Sequence, residues 1–133
     1  MDWTIEFDKA IEQYLPDLEV LQDEPMSRHT TFRIGGPAKR MAFPSSREQL
    51  VLLMSFAKDY GANPLVIGNG SNLLVPDEGL DRLVIDTSAN LNRLERGSGN
   101  TVLADAGATL ARTADLACKS GLTGLEFAHG IPG

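Results

Sequence analysis

The chain has little that could staple, anchor or metallate it. A single cysteine, Cys118, excludes any internal disulfide, and with only two histidines beside it there is no ligand cluster for a structural zinc. No metal is expected. No apolar run approaches the roughly 20 residues of a membrane helix, and Met1-Asp2-Trp3-Thr4-Ile5-Glu6 lacks the basic region and apolar core of a secretory signal. We therefore expect no membrane association and a cytoplasmic location. Positive charge is also scarce: 12 Lys and Arg face 18 Asp and Glu, a formal net charge of −6 with a pI near 4.8. That deficit argues against a nucleic-acid surface. With 42% hydrophobic and 23% charged residues the composition is that of a soluble globular chain. Its 133 residues suffice for one domain or large subdomain but are few for an enzyme holding both a dinucleotide and a substrate.

One local absence is more pointed. Between Pro64 and Asp77 there is no Lys or Arg, yet the stretch Pro64-Leu65-Val66-Ile67-Gly68-Asn69-Gly70-Ser71-Asn72-Leu73-Leu74 has the form of a strand delivering an anion-binding loop. Leu65, Val66 and Ile67 form a short apolar run of the kind expected for a strand buried on both faces. Gly68 and Gly70 are expected to supply positive φ and gather backbone N–H groups, with Ser71 and Asn72 as short donors beside them. An anion here would be neutralised by backbone dipoles. A dinucleotide fingerprint fails, because its third glycine position is Leu73 and Leu74-Val75-Pro76-Asp77 stands where a helix should begin. A ligand-free turn between two strands stays open on spacing alone.

Along the chain, Trp3, Phe7, Ala10, Ile11 and Tyr14 form the stripe of an amphipathic helix ended by Pro16, and a linker with several acids follows. Arg28 to Pro37 reads as a loop. Arg40 to Phe43 is a short strand, and Ser45-Ser46-Arg47-Glu48 is a capping box with Ser45 as N-cap. The helix behind it should bury Leu50, Leu53, Met54 and Ala57 and end at Gly61. With the strand at Leu65 to Ile67 it makes a βαβ unit, and Leu83 to Asp86 is a third strand. Ligands of such units sit beyond the carboxyl ends of the strands, where Gly68 to Leu73 lies. Leu91 to Arg96 and Thr101 to Ala106 read as an antiparallel hairpin. Thr109 caps a last helix with Leu110, Ala114, Ala117 and Cys118 on one stripe, so Cys118 is expected to be buried.

Four blocks carry a resemblance: Thr30-Thr31-Phe32-Arg33-Ile34-Gly35-Gly36-Pro37-Ala38, the Pro64 to Leu74 stretch, Ala106-Gly107-Ala108, and Gly124-Leu125-Glu126-Phe127 with Gly130-Ile131-Pro132-Gly133. In this order and spacing the chain resembles the N-terminal part of the bacterial UDP-N-acetylenolpyruvoylglucosamine reductases, the MurB family. The resemblance implies an α+β FAD-binding fold of the vanillyl-alcohol-oxidase type. It divides into an N-terminal helix and linker (1–29), a small parallel βαβ subdomain (30–89) and the start of a mainly antiparallel one (90–133). It further implies that Ile67, Gly68, Asn69, Gly70, Ser71, Asn72 and Leu73 cradle the FAD pyrophosphate, while Gly130, Ile131, Pro132 and Gly133 begin a second wall. The Arg28 to Pro37 run would border the cofactor.

The implied reaction passes hydride from NADPH through FAD to the enolpyruvyl double bond of UDP-N-acetylenolpyruvoylglucosamine, giving UDP-N-acetylmuramate for peptidoglycan. The catalytic groups of the family are expected beyond Gly133, so no catalytic residue is assigned, and neither His29 nor His129 receives a role. Two other readings stay open: a non-catalytic module binding a nucleotide or a partner through the same loop, and another FAD-linked oxidase of this fold. Uncovered hairpin edges lead us to expect self-association of the 133-residue chain. By the same reading this chain should show no turnover above background with NADPH and the enolpyruvyl nucleotide in a steady-state assay. Measurable catalysis would refute the assignment of its missing groups.

Overall fold

The structure, a computed structural model, describes residues 2–128, 130 and 131. Its main body is a four-stranded sheet in the order β1-β2-β4-β3, made of β1 (Glu19–Pro25), β2 (Pro37–Phe43), β3 (Leu65–Ile67) and β4 (Leu80–Asp86). β1 runs antiparallel to β2, whereas β2 and β3 both run parallel to β4. The fourth strand thus inserts between the two that the sequence joins through a helix. Leu83 to Asp86 is therefore part of an inner strand, third in the sheet order, and β3 lies at an edge. That placement corrects the expectation of a doubly buried β3: Ile67 is buried, but Val66 is half exposed.

The sheet's two faces are covered by different material. Helices α1 (Thr4–Tyr14) and α2 (Arg47–Tyr60) cover one face, where Phe7, Ile11, Leu53 and Ala57 meet Ala42, Leu83 and Ile85. Loops cover the other, where Met26, Leu73 and Val75 pack on Met41, Phe43 and Val84. Alternation explains the division, since Val84 points away from its neighbours Leu83 and Ile85. Met41 and Ala38 share a face despite their odd spacing, because the β2/β4 register shifts between Ala38 and Arg40. The face under loops is the one that carries the glycine stretch.

The segment expected as a linker is the strand β1. Its acids suit a sheet edge, where charge discourages further pairing; the partly buried Val20 and Leu21 pack on opposite sides. Arg40 fastens α1 to this sheet through Nε–H and Nη2–H donated to the two carboxylate oxygens of Asp8 at 2.9 and 2.7 Å. That paired donation raises the Arg40 pKa above its ordinary value. The N-cap of α2 is Ser46, not Ser45: its side chain accepts the Gln49 N–H, and the Ser45 N–H and Oγ–H turn to the Gln49 side chain. Both serines sit three or four residues before a suitable partner, so the spacing alone does not separate them. Leu50 is partly buried and Met54 is exposed, leaving Leu53 and Ala57 as the buried line of α2. Gly61 closes the helix at φ +73°, as expected.

The second unit is smaller. β5 (Leu94–Arg96) and β6 (Val102–Ala104) form the antiparallel hairpin, and α3 (Leu110–Lys119) packs on it. Thr109 caps α3 by accepting the Arg112 N–H. Only Ala114 and Ala117 of the expected stripe are buried; Leu110 and Cys118 are exposed. A two-stranded hairpin is too narrow to cover a whole helix face, so the thiol lies open rather than buried. The join to the main body is close-packed: the Gly107 N–H donates to the Leu91 carbonyl at 2.7 Å, and a Cβ at Gly107 would collide with the Thr87 carbonyl. Asn90 Nδ2–H reaches the Phe43 carbonyl at 3.2 Å. Among the described residues no helix is long and apolar enough to cross a membrane, and no group of three or more His, Cys, Asp or Glu is placed to hold a metal.

Two adjacent leucines test this layering. Leu53 is fully buried, whereas Leu52 is 40% exposed. Leu53→Ala should cost about 2–5 kcal/mol of unfolding free energy, the usual range for a cavity-forming core truncation. Leu52→Ala should stay within about 0.5 kcal/mol. Urea unfolding of the two variants measures the difference, and equal losses would contradict the assigned helix face.

Candidate cofactor site

The glycine stretch begins where β3 ends, and its first carbonyl is held twice. Ile67 O accepts the Thr87 N–H at 3.0 Å and the Thr87 hydroxyl at 3.1 Å. The chain then turns through Gly70 at φ +71°, a buried residue whose carbonyl accepts the Thr31 N–H at 3.2 Å. A Cβ at Gly70 would strike the His29 carbonyl and stand 3.1 Å from Thr30 Cα. Gly70 is thus required by the wall behind the loop as well as by its own φ. Downstream, Leu73 and Val75 enter the loop-covered core, and the Pro76 carbonyl accepts the Gly36 N–H at 2.9 Å. No helix follows, which agrees with the failed dinucleotide fingerprint.

Gly68 differs from Gly70. Its φ is not positive, correcting the expectation that both glycines supply that conformation, and a Cβ built on it would meet nothing within 4 Å. Its front is open space. Asn69 and Asn72 are likewise exposed, and the amide N–H groups of Gly68, Asn69, Gly70 and Asn72 have no acceptor among the described residues. The Ser71 N–H is already used: it donates to the Asn69 side-chain oxygen at 3.2 Å, an Asx turn that fixes the loop. Val66 to Leu73 line a concavity of about 270 Å³. A loop fastened behind and bare in front, with unpaired amides, is the arrangement a pyrophosphate needs. The residues present fit FAD in that respect.

The Arg28 to Pro37 run lies directly against this loop. A second concavity, about 450 Å³, has Gly68 and Asn69 on one side and Arg28, His29 and Arg33 on the other. The cation-free stretch therefore does not make a cation-free site. Arg28 and Arg33 escaped a reading confined to Pro64–Asp77 because they arrive from about 40 residues upstream in sequence. The signal that points to them is the pairing of basic residues with Gly35-Gly36 in that earlier run. Asp86 and Ser88 complete this concavity, with Asp86 Oδ1 accepting both the N–H and the hydroxyl of Ser88 at 2.8 and 2.7 Å.

Of the expected second wall, only Gly130 and Ile131 are among the described residues. Gly130 and Ile131 follow a 3₁₀ turn at Glu126–Ala128, where the Ile131 N–H donates to the Ala128 carbonyl at 3.2 Å. Among the described residues no hydrogen bond joins them to 68–73. Pro132, Gly133 and His129 lie outside the described residues. The Glu126 carboxylate is held below its ordinary pKa by backbone N–H groups, its own and that of Gly124 at 2.9 Å, which makes it a clamp of this turn.

Comparison with known proteins follows the same geometry. Residues 38–133 match the family model described as FAD binding domain. UDP-N-acetylenolpyruvoylglucosamine reductase of Moorella thermoacetica is 49% identical over 115 residues, which is 86% of this chain and 37% of that protein. The crystal structure of UDP-N-acetylenolpyruvylglucosamine reductase (MurB) from Thermus caldophilus superposes with a TM-score of 0.58 at 32% identity, covering 86% of this chain and 38% of that one. Alkyldihydroxyacetonephosphate synthase shares the fold alone, with a TM-score of 0.64 at 20% identity over 87% of this chain and 27% of its own. The chain thus spans well under half the length of the curated relatives it matches. The chain belongs to the FAD-binding domain family, and its named relatives are UDP-N-acetylenolpyruvoylglucosamine reductases.

Proposed function

We propose that this chain is the cofactor-holding part of an NADPH-dependent flavoenzyme that reduces UDP-N-acetylenolpyruvoylglucosamine to UDP-N-acetylmuramate. The observation that carries the proposal is the contrast between the two glycines: Gly70 is filled in from behind, whereas Gly68 has open space before it, beside unpaired amides. A plain turn between strands has no need of such a bare face. When bound, FAD would supply the hydride-transfer chemistry.

The chain's own part is to bind and orient. Gly68, Asn69, Gly70 and Asn72 offer amide donors to the diphosphate, Ile67 and Leu73 fix the loop's two ends, and Ser71 is engaged in holding its shape. Arg28 and Arg33 add positive charge in the adjoining concavity. The assignment of Gly130, Ile131, Pro132 and Gly133 to a second wall is supported by the family resemblance of that block. The division into subdomains near residue 90 is supported by the change from the four-stranded sheet to the hairpin. No catalytic group is assigned within the chain.

Side-by-side substitution of the two glycines tests the cradle. Gly68→Val should leave the melting temperature near that of the parent, because its Cβ has room, while FAD affinity falls at least tenfold through lost amide contacts of about 1.5–3 kcal/mol. Gly70→Ala should instead destabilise the fold by about 1–3 kcal/mol, because φ +71° is strained for alanine and the His29 carbonyl must shift. Unchanged FAD affinity in Gly68→Val would end the cradle proposal. Separately, Arg33→Gln should weaken FAD binding several-fold at low ionic strength and much less in 0.5 M salt, where charges beyond a few ångströms are screened. An equal loss at both salt concentrations would exclude a charge-based role for Arg33.

A further inference from the structure

The first amide donor of the cradle is aimed by a residue outside it. Ile67 C=O and Gly68 N–H belong to one peptide unit, which is planar and trans, so the two groups point in opposite directions and turn together. Whatever holds the carbonyl therefore aims the amide. β4 stands on one side of β3, and no strand stands on the other. The Ile67 carbonyl turns towards β4, where Thr87 follows Asp86, the last residue paired with β3. The Gly68 N–H is thereby directed to the free side, where it meets no acceptor among the described residues.

A backbone bond alone would hold this peptide plane poorly. Ile67 is the last of only three residues in β3, and Gly68 has no side chain to pack. A carbonyl oxygen carries two lone pairs, and with both engaged from different directions its plane can no longer swing freely. The Thr87 hydroxyl supplies that second bond at 3.1 Å, beside the N–H bond at 3.0 Å. Thr87 is 2% exposed, so water hardly competes for the hydroxyl, and its branched Cβ restricts χ1. Its own backbone is fixed as well: the Thr87 carbonyl accepts the Leu91 N–H at 3.0 Å and lies against Gly107. A carbonyl that accepts two bonds is also more strongly polarised, which makes the N–H at the other end of its peptide a better donor to an anion.

We infer that Thr87 is a positioning residue for the cofactor, its hydroxyl aiming and polarising the Gly68 amide towards a diphosphate that Thr87 itself does not touch. The inference rests on the FAD reading of the loop. Thr87 lines neither of the two concavities at the loop, although Asp86 and Ser88 on either side of it line the second. Its action therefore passes through Ile67 and Gly68. A role confined to securing the strand end would change unfolding and leave the response of the Gly68 amide to an anion as it was.

Three substitutions in the 133-residue chain separate the hydroxyl from the shape of the side chain. Thr87→Val keeps the branched shape without the hydroxyl, Thr87→Ser keeps the hydroxyl without the methyl, and Thr87→Ala loses both. FAD titrations followed by flavin fluorescence should give a dissociation constant about threefold to tenfold above the parent's in Thr87→Val, the size of one ordinary hydrogen bond, and within about twofold of it in Thr87→Ser. Should Thr87→Val fail to fold, Thr87→Ser and Thr87→Ala, which differ by the hydroxyl alone, should show the same ratio. In the cofactor-free protein, inorganic pyrophosphate should move the Gly68 signal in ¹⁵N–¹H spectra of the parent and of Thr87→Ser, and move it less in Thr87→Val at equal occupancy. Parental FAD affinity in Thr87→Val, or Thr87→Ser as weak as Thr87→Ala, would overturn the inference and leave the cofactor reading in place. A parent chain that binds neither FAD nor pyrophosphate would refute the cofactor reading, and the inference with it.

Discussion

The cradle depends on a single carbonyl. Ile67 O receives two bonds from Thr87, one from the backbone and one from the hydroxyl. Without them the three-residue edge strand β3 would end in a frayed terminus, and the amides that follow would have no fixed directions. Three residues of ladder are a weak hold, and an edge position offers neighbours on only one side. A side-chain hydroxyl that doubles the terminal bond is therefore worth more here than in mid-sheet, where flanking ladder bonds would share the load.

Around that anchor the structure separates support from exposure. Everything that fastens the 68–76 loop lies on its inner side: Thr31 on the Gly70 carbonyl, the His29 backbone against Gly70, Leu73 and Val75 in the core, and Gly36 on Pro76. The outer side keeps its polar hydrogens unspent. A flexible loop would have to give up conformational entropy on meeting its ligand, and this one has given it up during folding. Arg28 and Arg33, from the turn that also forms the loop's back, line the adjoining concavity together with Asp86.

Much of this was legible in the sequence. The apolar stripe of Phe7, Ala10 and Ile11, the caps at Gly61 and Thr109, the hairpin and the glycine loop are all signals written within a dozen residues, and such signals survive folding. What was not legible depends on strand order. That β4 inserts beside β2, pushing β3 to the edge and exposing Val66, follows from pairings over long separations that no local pattern encodes. β1 passed for a linker because acids and a proline mask its two partly buried aliphatics. Gly68 and Gly70 look alike as letters; only the arrival of His29 behind one of them distinguishes a backbone requirement from a ligand requirement. Cys118 was misplaced for a related reason, as periodicity predicts which side of a helix is apolar but not how wide a neighbour will cover it.

Thr87 also faces the other way. The residue whose hydroxyl and amide hold Ile67 presents its own carbonyl to Gly107, so tightly that no side chain fits there, and its carbonyl accepts the Leu91 N–H. One residue is thus a post shared by both units, standing twenty positions after the strand end it anchors and twenty before the glycine packed on it. The shape of the 68–76 loop is consequently not a property of its own handful of residues, because its first bond is made by a residue on which the hairpin unit also packs. A side chain at Gly107 would push on the Thr87 carbonyl, and the displacement would reach the Ile67 carbonyl through the N–H and hydroxyl of the same residue.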